Sequence, residues 1–194
     1  IHERLVGSEM CIRDRYMKAT GIVRRIDDLG RIVIPKEIRR TLRIHEGDPL
    51  EIYTDSDGMV IFKKYSPIGE LSEFAHQYAD TLNKSTGLLT CITDKDSVIA
   101  ASGNGKKELK EKKVSGEVEK IMEKKTMFYS KQNENTIKII DDSDKYKAGV
   151  VAPIVHDGDP VGTVIFIAEP EKSMNEVEQK LAETAAGFLS KALE

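Results

Sequence analysis

The sequence predicts an α+β protein in two parts: a small, strand-rich head over residues 17–66 and a larger domain, 67–194, of antiparallel strands flanked by helices. Three observations carry that prediction. All nine arginines lie at or before Arg43, so one cationic chemistry is confined to one end of the chain. Short β-branched runs separated by turn residues fill the first part, which is too small to bury a core alone. From Ser66 onward, helix caps and apolar residues at helical spacing alternate with strand-like runs and hairpin turns.

Charge is distributed in the same two-part way. The chain of 194 residues is formally −3 at pH 7, which excludes a generic polycation. Residues 17–45 nevertheless carry eight cations against three acids, and residues 46–62 carry five acids and no cation. A guanidinium offers a flat fork of donors that matches a phosphate or a guanine edge, whereas lysine is a hydrated point charge. The arginine segment is therefore expected to touch nucleic acid, and a two-fold dimer of it would suit double-stranded DNA. No apolar stretch is long enough to cross a bilayer, and no membrane partner is expected. Cys11 and Cys91 are far apart and read as reduced thiols, so the expected location is cytoplasmic, on the nucleoid. Residues 1–16, IHERLVGSEMCIRDRY, show no periodicity and no apolar core of a secretory signal. They are expected to be non-native or disordered, because Met17-Lys18-Ala19-Thr20 comes next as a natural start.

In the head, the β-branched run Thr20–Ile26 predicts a strand and Asp27-Asp28-Leu29-Gly30 a turn, with Gly30 free to take positive φ. Arg31–Ile34 predicts a second strand. Pro35 ends it and suits the first position of a helix over Lys36–Leu42, with Ile38 and Leu42 on one face and Arg39, Arg40 and Arg43 elsewhere. Gly47-Asp48-Pro49 breaks the chain, and Leu50–Thr54 and Met59–Lys63 flank the hairpin turn Asp55–Gly58. About 50 residues of this kind need a disulfide, a metal or a partner chain. No cysteine lies in the segment and His45 has no companion ligand, so a homodimer is expected. Strand geometry sends Arg24 and Arg25 to opposite faces, and Asp27 or Asp28 is placed to pair with either of them. Asp48 and Glu51 could hold Arg43 internally.

The run GIVRRIDDLGRIVIPKEIRRTL resembles the amino-terminal domain of the AbrB family of bacterial transition-state regulators, in the LGR-x-VIP string and the E-I-RRTL after it. The resemblance implies a swapped-hairpin dimer in which two chains interlock into one small β-barrel. It also implies DNA contacts from Arg24, Arg31, Arg39 and Arg40, with Lys18 and Arg25 as auxiliaries. Degenerate, A/T-rich sites read by shape would be expected of such a head. Antitoxins of toxin–antitoxin pairs use the same head. They continue it with a disordered tail, whereas about 120 patterned residues continue it here.

The second part opens at Ser66-Pro67, an N-cap and a first-turn proline, with Ile68, Leu71, Phe74, Ala75, Tyr78 and Leu82 at helical spacing. Leu88–Thr93 and Val98–Ala101 read as a hairpin about Asp94–Ser97. Gly105–Lys125 reads as two short helices pivoting at Ser115-Gly116. Thr126–Ser130, Thr136–Ile140, Ala148–Val155 and Val161–Ala168 read as strands. Ser173 and Glu176 have the spacing of a capping box for a last helix with Met174, Val177, Leu181, Ala185, Phe188 and Ala192 on one stripe.

This order resembles a GAF domain, most closely around HDGDPVG (156–162) and the apolar strand and helix after it. An AbrB-type head joined through KKYSPI to such a body is similar to sporulation regulators of spore-forming Firmicutes. It implies a transcription regulator of spore development with a small-molecule-sensing body. Stripes on helices 68–83 and 172–193 suit either cover for the sheet or a contact that joins two dimers into a homotetramer. No catalytic set, metal set or cofactor motif is present: His76 and His156 lack partners at catalytic or metal spacing, and a reductase of the GAF type needs more cysteines than Cys91. The chain is thus not expected to be an enzyme.

Overall fold

A computed structural model describes residues 20–131, 135–170 and 174–193. The chain divides into two compact units, residues 1–46 and 47–194. The expected head, 17–66, therefore straddles that division, with its second hairpin grouped in the later unit.

In the first unit the one regular element among the described residues is α1 (Lys36–Thr41). Pro35 sits at its N-cap rather than inside it, and its carbonyl accepts the Arg39 N–H at 3.0 Å. The expected strands at Thr20–Ile26 and Arg31–Ile34 do not form within the single chain. Their backbones carry no ladder, and Ile22, Val23, Ile26, Ile32 and Val33 are exposed. A strand exists only when a neighbour accepts its N–H groups, and β-branched composition does not supply that neighbour. The turn between them does form. Gly30 lies at φ 75°, and its N–H donates to the Asp27 carbonyl at 3.0 Å.

The second unit begins with an antiparallel hairpin, β1 (Leu50–Thr54) and β2 (Val60–Lys64), in the register Ile52 opposite Phe62. The helix expected over 68–83 is two pieces, α2 (Pro67–Glu70) and α3 (Ser72–Thr86), broken at Leu71. Ser66 caps α2, accepting from the Gly69 N–H as expected. The remaining elements are β3 (Thr90–Thr93), β4 (Val98–Ser102), α4 (Lys106–Leu109), α5 (Gly116–Lys124), β5 (Phe128–Tyr129), β6 (Ile137–Ile140), β7 (Ser143–His156), β8 (Asp159–Ile167) and α6 (Glu176–Lys191).

Strands β3 to β8 build one antiparallel sheet in the order β4-β3-β8-β7-β5, with β6 also on β7. Alternation along each strand sorts its side chains onto two faces. Ile92, Ala100, Val150, Ala152, Val164 and Phe166 pack under α2, α3 and α6. Cys91, Ala101, Val151, Ile165 and Ile167 pack under Leu109 of α4 and Val118 and Met122 of α5. The sheet is thus a middle layer, which is why its central strands read as continuous apolar runs. Gly162 is required by close approach: a Cβ there would lie 2.0 Å from the Thr93 carbonyl oxygen. One register position on, the buried hydroxyls of Thr93 and Thr163 meet at 2.7 Å. The capping box of α6 is formed by Asn175 and Glu178, two residues later than the spacing of Ser173 and Glu176 predicts. Ser173 itself lies outside the described residues.

Candidate nucleic-acid interface

The Asp27–Arg31 turn organises the arginine segment. Asp27 Oδ1 accepts the backbone N–H groups of Leu29 (3.0 Å) and Arg31 (2.7 Å). Its Oδ2 accepts Arg31 Nε at 2.8 Å. The five residues from Asp27 to Arg31 are thereby closed by one carboxylate, an Asx-type turn that explains why aspartate stands there. The Arg31 backbone N–H, with its guanidinium next, lowers the Asp27 carboxyl below its ordinary value of 3.8. The acid therefore serves Arg31, and neither Arg24 nor Arg25, the two candidates from strand geometry. The contact uses Nε, leaving the terminal nitrogens of Arg31 at the far end of a side chain that is 68% exposed. Those terminal nitrogens form the edge that grips a guanine or a phosphate.

Arg24 and Arg25 lie on the extended segment before this turn, and both are exposed. Arg39 and Arg40 occupy the last turn of α1, where cations complement the helix dipole, and both are exposed. Helix α1 ends when Leu42 and Ile44 N–H groups return to the Ile38 (2.9 Å) and Arg39 (2.8 Å) carbonyls. Arg43 takes a left-handed φ of 50° in that return and is half-buried. Five of the six candidate residues thus fall within one short unit as exposed cations. The sixth, Lys18, lies outside the described residues.

Two groupings escape sequence reasoning. Phe74, Tyr78 and Phe188 pack ring to ring with centroids 5.5–6.1 Å apart, joining α3 to α6. Helical periodicity marks each ring as apolar. It gives no sign that Phe188 stays 49% exposed, or that Ala182, Ala186 and Leu189 join Ala185 on the buried face. The other is a charged network at the base of the β1–β2 hairpin, whose partners are too far apart in sequence for spacing to reveal. Among the described residues no cluster of three His, Cys, Asp or Glu side chains has metal-holding geometry, and no helix is long and apolar enough to cross a membrane.

Known proteins match both parts of this chain. The family model described as stage V sporulation protein T C-terminal, transcription factor, matches residues 70–194. Residues 23–69 match the model described as antidote-toxin recognition MazE, bacterial antitoxin. Stage V sporulation protein T of Bacillus subtilis (strain 168) is 51% identical over 179 residues, covering 92% of this chain and 99% of that protein. The transition state regulatory protein AbrB of the same organism is 64% identical over 52 residues, 27% of this chain and 53% of AbrB. The GAF domain of an Acinetobacter phosphoenolpyruvate-protein phosphotransferase shares the body's fold, with a TM-score of 0.53 at 12% identity, covering 63% of this chain and 81% of that one. The second unit therefore carries a GAF-type sheet, and the arginine segment is AbrB-like. Because identity of this level runs through both parts at once, the chain belongs to the stage V sporulation protein T family of transcription factors.

Proposed function

We propose that the chain is a DNA-binding transcription regulator of spore development, with a head over 17–66 and a sensory body over 67–194. The observation that carries this reading is the exposed set Arg24, Arg25, Arg31, Arg39 and Arg40 on one short unit where Ile22, Val23, Ile26, Leu29, Ile32, Val33 and Leu42 are also exposed. Arg24, Arg31, Arg39 and Arg40 contact phosphate and base edges, with Arg25 and Lys18 auxiliary. Two chains interlock to give the head its missing strand partners, so each DNA site meets two copies of the set. The body beyond the head disfavours the antitoxin reading. A layered domain with Ile92, Ile165, Phe166 and Leu189 at 0% exposure is not a disordered wrapping tail.

In the same reading two dimers join through α3 and α6, where Val177 and Phe188 remain exposed beside the stacked rings. The body works by binding and not by chemistry. Its cysteine, Cys91, is fully buried, and burial pushes the thiol up to about 12, far from a reactive thiolate. The site of action is the nucleoid in the cytoplasm. Fluorescence anisotropy of the full chain on A/T-rich duplex DNA across a salt series tests the reading. Steeply salt-dependent affinity is expected, and no binding at low salt would overturn it.

A further inference from the structure

The base of the β1–β2 hairpin is held through a β2 lysine by carboxylates that lie outside its two strands. Lys64, the last residue of β2, places Nζ 2.6 Å from Asp96 Oδ2 and 3.7 Å from Asp48 Oδ2. Lys95 Nζ lies 3.9 Å from the other Asp48 oxygen. The network is partly withdrawn from solvent, with the Asp48 side chain 10% exposed and Lys64 22%. Two hydrogen bonds reinforce it: the Tyr65 N–H donates to the Pro49 carbonyl at 3.0 Å, and Ser66 Oγ lies 3.3 Å from Asp94 Oδ2.

Asp96 also anchors a second segment. Its carbonyl accepts the Val114 N–H at 3.0 Å. The Val98 N–H donates to Lys112, and the Glu111 N–H donates to Val98, each at 2.9 Å. Ser97 and Lys113 form a bridge beside them. The connection from α4 to α5 thus hangs on the same β3–β4 turn that Lys64 grips. Asp96 is not free to swing between the two, because its N–H is held by Asp94 Oδ1 at 2.7 Å. Glu111, in the same connection, adopts φ 63°, a left-handed conformation that a residue with a Cβ holds only when its surroundings impose it. Val114 and Val118, just beyond, are fully buried under the sheet's second face. Beside the network lies a cleft of about 290 Å³, lined by Gly47, Pro49, Tyr65, Lys95, His156 and Val161, which leaves the hairpin base room to shift.

We propose that Lys64–Asp96–Val114 is a relay: it makes the position of the β1–β2 hairpin depend on how α4 and α5 pack on the sheet. The side chain and the main chain of one residue serve two segments, so neither segment moves without loading the other. The relay's regulatory purpose rests on the reading above, in which the hairpin belongs to the DNA-binding head. Its mechanics do not depend on that reading.

The test perturbs α5 and reads the hairpin. In the full chain, Val118→Ala loosens α5 without touching the network. Amide hydrogen exchange at residues 47–53 and 61–66 should accelerate by about fivefold or more. That response should vanish when Val118→Ala is combined with Lys64→Met or with Asp96→Asn, which keeps the carbonyl to Val114. Where Val118→Ala fails to fold, Ile121→Ala on the half-buried flank of α5 takes its place. An unchanged hairpin in both α5 variants overturns the relay, as does a response that persists with Lys64→Met. Anisotropy with an A/T-rich duplex separates the two claims. A hairpin that responds in a chain that never binds DNA keeps the relay and removes the function.

Discussion

The two units of this chain use the same residue types to opposite ends. Among the described residues of 20–46, Pro35 is the one buried side chain, and Val23 is 90% exposed. In the body, Val98, Val114, Val150, Val151 and Val164 are all at 0%. Both regions are written in Ile and Val between turn residues. The body's sequence also supplies covering layers, α3 and α6 on one face and α4 and α5 on the other, and the head's does not. Apolar side chains left in water by one chain are the ones the proposed dimer would cover. The comparison therefore separates a part that folds by its own burial from a part that, in the proposed dimer, folds by association.

The largest effect should come from the body's core. Phe166 is fully buried among Ile92, Val150 and Val164, and Phe166→Ala should cost about 3–5 kcal/mol in urea unfolding of the body. A cost under about 1 kcal/mol would show the layer to be loosely packed. The head should respond to concentration instead. A 17–66 fragment is expected to sediment as a dimer, with a melting midpoint that rises with protein concentration. A folded, monomeric fragment at micromolar concentration would break the comparison outright. Next in size is the salt dependence of DNA binding. Arg24→Ala removes two guanidinium groups per dimer, so the slope of log K against log salt should flatten by roughly 2 if both reach phosphate. Lys180→Ala, on α6, should leave the slope unchanged. Wild-type slopes in the Ala variants of Arg24, Arg31, Arg39 and Arg40 alike would remove the assignment.

Local signals are legible wherever a few adjacent residues decide the outcome. The Asp94–Ser97 turn, the Ser66 cap, the Ser115 pivot and the Gly30 turn all form where the residue types place them. Signals fail where the deciding partner is distant. The head strands lack a ladder because composition specifies an extended backbone without naming its neighbour. The break at Leu71 is invisible to periodicity, since Ile68 and Ala75 are fully buried on either side of it. Spacing misplaces the start of α6 because Ser173 and Asn175 are both good caps, and the side chain of Glu178 reaches the Asn175 N–H at 2.9 Å. In the candidate interface, residue type and exposure are legible. The pairing of Arg31 with Asp27 is not, because Arg24 and Arg25 are equally plausible partners by sequence distance.

The smallest expected effect isolates that pairing. Asp27 is a solvent-facing carboxylate held below its ordinary value of 3.8 by the Arg31 backbone N–H first and its guanidinium second. A group whose folded value is depressed stabilises the fold above its unfolded value, and the contribution disappears as pH falls through the folded one. The head should therefore lose a small increment of stability on the acid side, below pH 3.8, and none at neutral pH. Asp27→Asn separates the two causes. The amide oxygen still accepts from the Leu29 and Arg31 N–H groups, so the turn persists, while the charge that holds Arg31 Nε is gone. Amide exchange at Leu29 and Arg31 should remain slow in Asp27→Asn and become fast in Asp27→Ala. The Arg31 Nε–H, tracked directly, should lose protection in both variants. Protection of that Nε–H in Asp27→Asn would mean that the backbone alone positions Arg31, and that the carboxylate's charge contributes nothing to presenting the guanidinium.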